Sequence, residues 1–452
     1  MNTIKLTAGL LLVAPVLAQA QFDTQLPLQY GIQQTYGNPA SLQDQKVSIA
    51  LPSVTFGFYT PIALTEMGTV EDGTLHVDAD QFINRLDADG NTPESAQTLE
   101  SFAFNYRGKR WQANVSHRVR AGASLGVPKG LVQLAAYGNA ALAGAPVQVA
   151  PEVNGTAYQE FALGGAFGIS EFITVGARFK YLLGAAAIQT NRASATIFTD
   201  ADTYNSTITT DVSLSTAGYP VTFTGREVDF GEISGLAGAG TGFALDLGMT
   251  FRPSEALEVG LSVRDLGSIA WKGEAKEHVS RGEYTFEGYE GNVFDDEEFA
   301  FDFGEVIDTI VSEVAFNSTD ATFKTSLPTT AQATVRYRIM PKTTAHATAF
   351  AGRYAEWRSG FGIGLSQRVG EWLHVGGLAG VKAGGGYLGA NILFDVFGPQ
   401  IYFACDNVLS AMNVNDANDV FVRAGLNLAF GKVKEVKEVK GWYDTKVEGI
   451  NK

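Results

Sequence analysis

The chain has one cysteine, Cys405, in 452 residues. A lone thiol excludes an intrachain disulfide and any metal cage built on paired cysteines. Histidine is nearly as scarce. His76, His117, His278, His346 and His374 are scattered, with no HExxH or comparable ligand spacing. Beyond residue 20 no stretch reaches the ~18 apolar residues of a membrane-crossing helix. Charged residues make up only 18% of the chain, against ~25% in soluble domains. Their balance is acidic, 33 Lys plus Arg against 48 Asp plus Glu, a net charge of −15. Such a balance excludes general binding to nucleic acid, whose phosphates need a basic footprint. Glycine and aromatics are plentiful instead. There are 51 Gly, 29 Phe and 16 Tyr, and Gly at about 11% exceeds a norm of ~7%. Aromatic strands bent at glycines, in an all-β protein, account for that mixture.

Residues 1–20 read as an export leader. Lys5 gives a positive start, Leu6 to Ala18 is an apolar run, and Ala18-Gln19-Ala20 fits a small-x-small cleavage site. The mature chain then starts near Gln21. Loss of Lys5, the one charged residue in that stretch, takes the net charge from −15 to −16. No cysteine follows the run, so a lipoprotein anchor is not indicated. The expected product is exported, either as a soluble secreted β protein or as a barrel.

Two-residue alternation over long segments favours the barrel. In Arg110–Arg120, Trp111, Ala113, Val115, His117 and Val119 share one face, opposite Gln112, Asn114, Ser116 and Arg118. Phe172–Tyr181, Leu257–Arg264, Ala331–Ile339 and Val420–Phe430 repeat the pattern. A half-buried soluble sheet alternates too. These segments, however, approach the 9–11 residues of a transmembrane strand, and tight turns at 107–109, 170–171, 253–255, 340–342, 369–371 and 398–399 pair them. Short turns alternating with long loops are the habit of outer-membrane barrels. Trp111, Tyr181, Trp357, Trp372 and Phe430 stand near strand ends, where interfacial girdles belong. Candidate strands lie near 46–58, 99–107, 110–121, 131–140, 157–169, 172–185, 193–200, 240–252, 257–267, 329–339, 343–352, 357–368, 372–382, 387–396, 399–405 and 419–430. The expectation is a closed antiparallel transmembrane β-barrel of about fourteen strands, because an open edge in lipid leaves backbone groups unpaired.

Four stretches fall outside this pattern. Residues 21–45 are Gln-rich, broken by Pro27, Gly37 and Pro39, and long enough to enter the lumen as a hatch ahead of a barrel over 46–430. Thr69–Glu94 is an acidic connection with an expected short helix at Val77–Leu86. The insertion 271–328 is dense in carboxylates, and Phe303–Phe316 within it has amphipathic helical spacing. The tail 431–452 alternates Lys with Val or Glu before Trp442-Tyr443, and is expected in the periplasm.

Short motifs add a resemblance. Tyr36-Gly37-Asn38-Pro39-Ala40-Ser41-Leu42, followed by Leu51-Pro52-Ser53, resembles the start of FadL-like outer-membrane barrels, and especially an uncharacterised Bacteroidota family of such barrels. Ser116-His117-Arg118 before Pro128-Lys129-Gly130-Leu131 and Gly138-Asn139 fits it, as do Arg252-Pro253 and Leu327-Pro328-Thr329. The resemblance implies fourteen strands, a lumenal N-terminal segment carrying Asn38, Pro39 and Ala40, and a place in the cell outer membrane. Relatives in that group include carriers of hydrophobic small molecules and subunits of type IX secretion machinery. The resemblance carries over no catalytic residue.

The polar strand face is rich in cations: Arg110, Arg118, Arg120, Arg178, Lys180, Arg264, Arg336, Arg338 and Arg423, against Glu160, Asp246 and Glu258. Clustered guanidiniums suit bidentate capture of a carboxylate or phosphate. Arg118, Arg178, Arg264, Arg336 and Arg423 are therefore the candidate lumenal ligand site. The plainer reading is that they pair with inward acids and brace the barrel. Asp87-Ala88-Asp89-Gly90-Asn91 imitates the start of an EF-hand, but Pro93 and Thr98 fall at its seventh and twelfth positions, where a bidentate Glu should close the site. No metal site or cofactor is expected. No GxSxG elbow exists, and His278-Val279-Ser280 lacks an acid partner at a telling spacing. The expected function is non-enzymatic: binding or passing a small amphipathic, hydrophobic or anionic molecule. The alternative is a structural subunit of an outer-membrane secretion or assembly complex, held through 271–328 and 431–452. Outer-membrane lipid is the expected surrounding partner.

Overall fold

Fourteen antiparallel strands follow one another around a closed ring in the computed structural model, each bonded to its neighbour in sequence. The structure describes residues 3–7, 31–71, 74–88, 90–219, 221–224, 227–230, 235–286, 316–353, 357–382 and 385–433. The ring comprises β1 (Gln45–Tyr59), β2 (Glu94–Arg107), β3 (Trp111–Gly126), β4 (Glu152–Gly168), β5 (Ile173–Thr199), β6 (Gly240–Phe251) and β7 (Leu257–Trp271). It continues through β8 (Thr330–Met340), β9 (Thr343–Arg353), β10 (Trp357–Val369), β11 (Leu373–Lys382), β12 (Gly385–Asp395), β13 (Pro399–Cys405) and β14 (Asp419–Lys432). Closure comes from β1 against β14, with Val47 opposite Phe430 and Tyr59 opposite Asp419. Six connections at one end are tight, and both Gln45 and Lys432 lie there. The long connections 60–93, 127–151, 200–239, 272–329 and 406–418 all lie at the other end.

Alternation sorts the side chains, and the sorting is inverted relative to a soluble protein. Outward positions carry exposed Val115, Leu163, Phe179, Phe243, Met249, Ile363, Leu365 and Phe403. Inward positions carry buried Gln112, Asn114, Ser116, Arg118, Glu160, Arg178 and Lys180. Two aromatic levels border the outward band. Trp111 faces Phe167 in register near the tight turns. Six residues on, Phe102, His117 and Phe161 stack in a row, His117 lying 4.4 Å from the Phe161 ring, and Tyr181 and Phe243 extend it at 5.4 Å. Six residues of strand rise by roughly 20 Å, close to the ~25 Å apolar band of a membrane barrel. Trp357, Trp372 and Phe430, expected at the girdles, also face out.

All fourteen ring strands coincide with expected segments, and the two surplus segments have other fates. Residues 131–140 form a helix, Lys129–Tyr137, instead of a strand. Leu131 and Leu134 are spaced three apart, which suits one helical face; Leu131 is buried, and Gly138 at φ +73° ends the helix. Residues 193–200 are the upper part of β5, which overshoots the ring and pairs with Ser206–Ala217. That strand pairs with Lys276–Phe286, which in turn pairs with Asn317–Asp320, so part of the 271–328 insertion is a sheet raised above the barrel. The helix expected at Val77–Leu86 is shorter, Ala79–Arg85. The Asp78 side chain caps it by accepting from Gln81 N at 3.0 Å. Val77 belongs to a strand, Thr74–Asp78, that pairs with Gly68–Glu71 and, inside the expected leader, with Thr3–Thr7. The helix expected over Phe303–Phe316, except its last residue, and the tail beyond Val433 lie outside the described residues.

Candidate functional site: the lumen and its hatch

Residues 31–44 cross the lumen and bond to walls on both sides. Gln33 exchanges two amide hydrogen bonds with Asn427 of β14, at 2.8 and 2.9 Å. Ser262 of β7 donates to the Gly37 carbonyl at 2.8 Å. Asn38 donates to the Met249 carbonyl of β6 at 3.1 Å, while its own side-chain oxygen accepts from Ala40 N at 2.9 Å. Gln112 of β3 accepts from Gln43 N and donates to the Ser41 carbonyl. Inward glycines make the seat for this segment. A Cβ on Gly176 would stand 2.4 Å from the Pro39 carbonyl carbon, and one on Gly248 would stand 2.1 Å from Asn38 Oδ1. The Asn38-Pro39-Ala40 turn fits only because those two strand positions lack a side chain.

Tyr36 is the centre of the site. Its hydroxyl donates to Glu100 Oε1 at 2.8 Å. Three guanidiniums surround its ring, with Arg178 Cζ 4.3 Å, Arg118 4.7 Å and Arg423 5.5 Å from the centroid. Each contact is a cation–π attraction. Burial first, and the Glu100 charge second, push the Tyr36 hydroxyl well above its ordinary range, so it stays protonated and donates. Glu100 also accepts from Arg423 at 3.1 Å and Ser53 at 3.3 Å.

Next to this lies a buried ionic network. Glu160 takes Arg118 at 2.5 Å and Arg120 at 3.0 Å, with Arg178 at 3.8 Å. Lys180 lies 2.6 Å from both Asp246 and Asp265, and Arg120 reaches Asp265 at 3.2 Å. Asp265 owes its place to a bulge. The β6–β7 register shifts between Leu245 and Leu247, and Asp265 has φ +59°. The extra residue turns Arg264 and Asp265 inward together, and Asp265 N donates to Asp246 Oδ1 at 2.7 Å. A non-glycine residue in the left-handed region is strained and must be held by its surroundings; here the two ion pairs and that hydrogen bond hold it.

Four of the five arginines singled out from sequence meet at Tyr36: Arg118, Arg178 and Arg423 around the ring, and Arg264 through the Tyr36 carbonyl at 3.4 Å. Arg336 stands apart, paired with Glu258 at 3.1 Å. Arg110 and Arg338 are exposed near the tight turns. Sequence reasoning missed Asp265, Glu100 and the Arg358–Glu94 pair at 2.5 Å. Simple alternation sends Asp265 outward, and only the bulge reverses it. His278 lies between two hydroxyls, Thr216 at 3.0 Å and Ser318 at 2.7 Å, while Ser280 bonds to Thr210 instead. No three His, Cys, Asp or Glu side chains gather as a metal site among the described residues.

A sequence profile described as "Family of unknown function (DUF5723)" matches residues 39–406. The chain belongs to that family. No curated protein matches it in sequence. Solved structures resembling this DUF5723 barrel include the toluene transporter TbuX of Ralstonia pickettii, 10% identical, covering 88% of this chain and 94% of that one, TM-score 0.43. The P. putida toluene transporter TodX is 10% identical over 88% of this chain and 93% of that one, TM-score 0.43. A Pseudomonas aeruginosa FadL homologue is 10% identical over 95% of this chain and 99% of that one, TM-score 0.45. At these identities and scores the likeness concerns barrel architecture alone.

Proposed function

We propose that this chain is an integral outer-membrane barrel that binds a small amphipathic or anionic solute in its lumen and passes it across the membrane, without catalysing a reaction. Residues 1–20 serve as its export leader, and the mature protein starts near Gln21. The observation that carries the reading is the cluster of guanidiniums around the hatch. Arg118, Arg120, Arg178, Lys180, Arg264 and Arg423 gather there, among Glu100, Glu160, Asp246 and Asp265. Cations gathered in the lumen of an acidic chain favour anions. The outward apolar band between two aromatic levels supports a membrane setting.

Uptake into proteoliposomes tests this. The wild-type barrel admits small organic anions faster than cations of equal size. Arg118→Gln, Arg178→Gln and Arg264→Gln together erase the preference. Equal uptake of both signs by the wild type counts against the reading.

A second reading, a structural subunit of an outer-membrane complex, is favoured by the sheet of Ser206–Ala217 and Lys276–Phe286 raised above the ring. Gentle detergent extraction followed by mass spectrometry separates the two. A stoichiometric protein partner supports the subunit, and a lone barrel with a bound small molecule supports the carrier.

A further inference from the structure

Five inward side chains meet at the outer mouth of the barrel, each at the long-connection end of its strand. Tyr59 ends β1, Glu94 begins β2, Arg358 is the second residue of β10, Lys382 ends β11 and Asp419 begins β14. Arg358 Nη2 donates to Glu94 Oε1 at 2.5 Å, and both side chains are buried. The Arg358 guanidinium carbon lies 3.6 Å from the Tyr59 ring centroid, a cation–π contact. Lys382 pairs with Asp419 and stands 4.9 Å from the Tyr387 ring centroid. Each side of the contact is one patch of wall. Tyr59 is opposite both Glu94 and Asp419 in register, and Lys382 is opposite Gly360, two residues below Arg358. The two patches are far apart around the ring: β10 is six strands from β2 one way and eight the other, and β11 is three from β14. Barrel diameter grows with strand number, so an arginine and a glutamate touch across fourteen strands only where the ring is flattened. The wall leaves room for this, because the next inward positions of β10 below Arg358 are Gly360, Gly362 and Gly364. Stability gives little reason for the contact, since apolar packing of similar volume serves as well as a buried ion pair. An ion pair in a lumen can part and re-form.

We propose that Arg358 and Lys382, with Glu94, Tyr59 and Asp419, form a clasp that pinches the outer mouth and sets the size of solute admitted to the lumen. The strut between Arg358 and Glu94 crosses the mouth. Small ions pass beside it, and a bulky organic solute passes only when the two walls part. The hatch at Tyr36 is a second barrier further in. Its acceptor Glu100 stands six residues below Glu94 on β2, roughly 20 Å of strand. The proposal rests on the lumen being a solute path, and it adds the control of entry to that path.

Thiol labelling just below the clasp tests it. Ala96 is buried and inward, two residues below Glu94, so Ala96→Cys in a Cys405→Ala background reports what passes the mouth. The reagents are methyl methanethiosulfonate, which is small and uncharged, and biotin-maleimide, which is bulky. Adding Arg358→Gln and Lys382→Gln is expected to speed labelling by biotin-maleimide about tenfold, by shifting the mouth toward its open form, and labelling by the small reagent less than about twofold. The charge swap of Arg358→Glu with Glu94→Arg is expected to return the bulky reagent to its slow rate. If the double variant does not fold, Lys382→Met, which keeps the Arg358–Glu94 strut, is expected to speed the bulky reagent several-fold. An equal rise for both reagents would mean a loosened fold and would overturn the clasp. So would a biotin-maleimide rate that no variant changes. Anion-selective uptake into proteoliposomes alongside unchanged labelling sinks the clasp and leaves the transport reading intact. The expected labelling in a barrel that takes up no organic anion sustains the clasp and sinks transport instead.

Discussion

The two halves of the barrel wall fill the lumen by different means. From β2 to β7 the inward side chains are long and charged, and they meet one another across the interior: Glu100, Arg118, Arg120, Glu160, Arg178, Lys180, Asp246, Arg264 and Asp265. From β9 to β12 the wall is lined with glycine, and bulky side chains lie flat over it. A Cβ on Gly360 would stand 2.5 Å from the Phe350 ring, one on Gly362 2.5 Å from the Tyr387 hydroxyl, and one on Gly364 2.6 Å from His346 Nε2. One half is held by charge that must stay matched, the other by space that must stay empty. The hatch draws on both, since Asn38 and Pro39 rest on glycines while Tyr36 rests on arginines. Fragility therefore concentrates in the charged half, where removing one atom group strands several others.

The largest effect expected comes from breaking the charged half. Glu160→Ala leaves Arg118, Arg120 and Arg178 facing one another without their shared carboxylate. Removing one partner of a buried ionic group costs ~3–5 kcal/mol, read as a lower denaturation midpoint by heat-modifiable gel migration. A change under ~1 kcal/mol would mean that the network is screened by water.

In the glycine half the cost is steric. Gly364→Val places atoms where the Gly377 carbonyl lies 2.1 Å from a Cβ. Overpacking of this kind costs ~1–3 kcal/mol, and the loss should not vary with salt, whereas that of Glu160→Ala should. A salt-dependent loss at Gly364 would erase the distinction between the halves.

Smaller again is Gly248→Ala, aimed at the seat of the hatch. One methyl at 2.1 Å from Asn38 Oδ1 must move the turn, while the strand pairing of Gly248 with Gly176 stays possible. The expected result is roughly 1 kcal/mol of stability together with faster thiol labelling of a cysteine introduced at Ser41. Unchanged labelling would show that the hatch is held elsewhere.

The smallest effect belongs to the rim. Arg368 holds the Glu371 carboxyl below its ordinary value of 4.5, and that group is fully exposed in the turn between β10 and β11. A lowered pKa contributes stability above the unfolded value and loses it as pH falls through the folded one. Glu371→Gln and wild type should differ by no more than measurement scatter. Any difference present at neutral pH should shrink only below pH 4.5. A large loss on substitution at pH 7 would give the rim a structural weight that solvent screening denies it.

Strands were legible in the sequence wherever alternation ran unbroken, as in Trp111–Val119 and Leu257–Arg264, because inward polar and outward apolar positions differ in chemistry. Arginines on those strands were legible as lumenal for the same reason. Asp265 was not, because a bulge adds one residue and reverses the facing of everything counted across it. Glu100 follows the same logic, beside a register shift between Glu100 and Phe102. The role of Gly176 and Gly248 was also hidden. A glycine seat is defined by a segment more than a hundred residues away in sequence, and nothing local marks it. Lys129–Tyr137 was misjudged because a short apolar run fits either period.

The most direct measurement is the reversal potential of the Gly248→Ala barrel in a planar bilayer under a potassium chloride gradient, with wild type alongside. The account predicts that displacing the hatch opens an anion-selective path, that wild type conducts far less, and that adding Arg118→Gln and Arg178→Gln shifts the reversal potential toward cation selectivity. A hatch-displaced barrel that conducts nothing, or that prefers cations, would contradict a lumen built to receive anions.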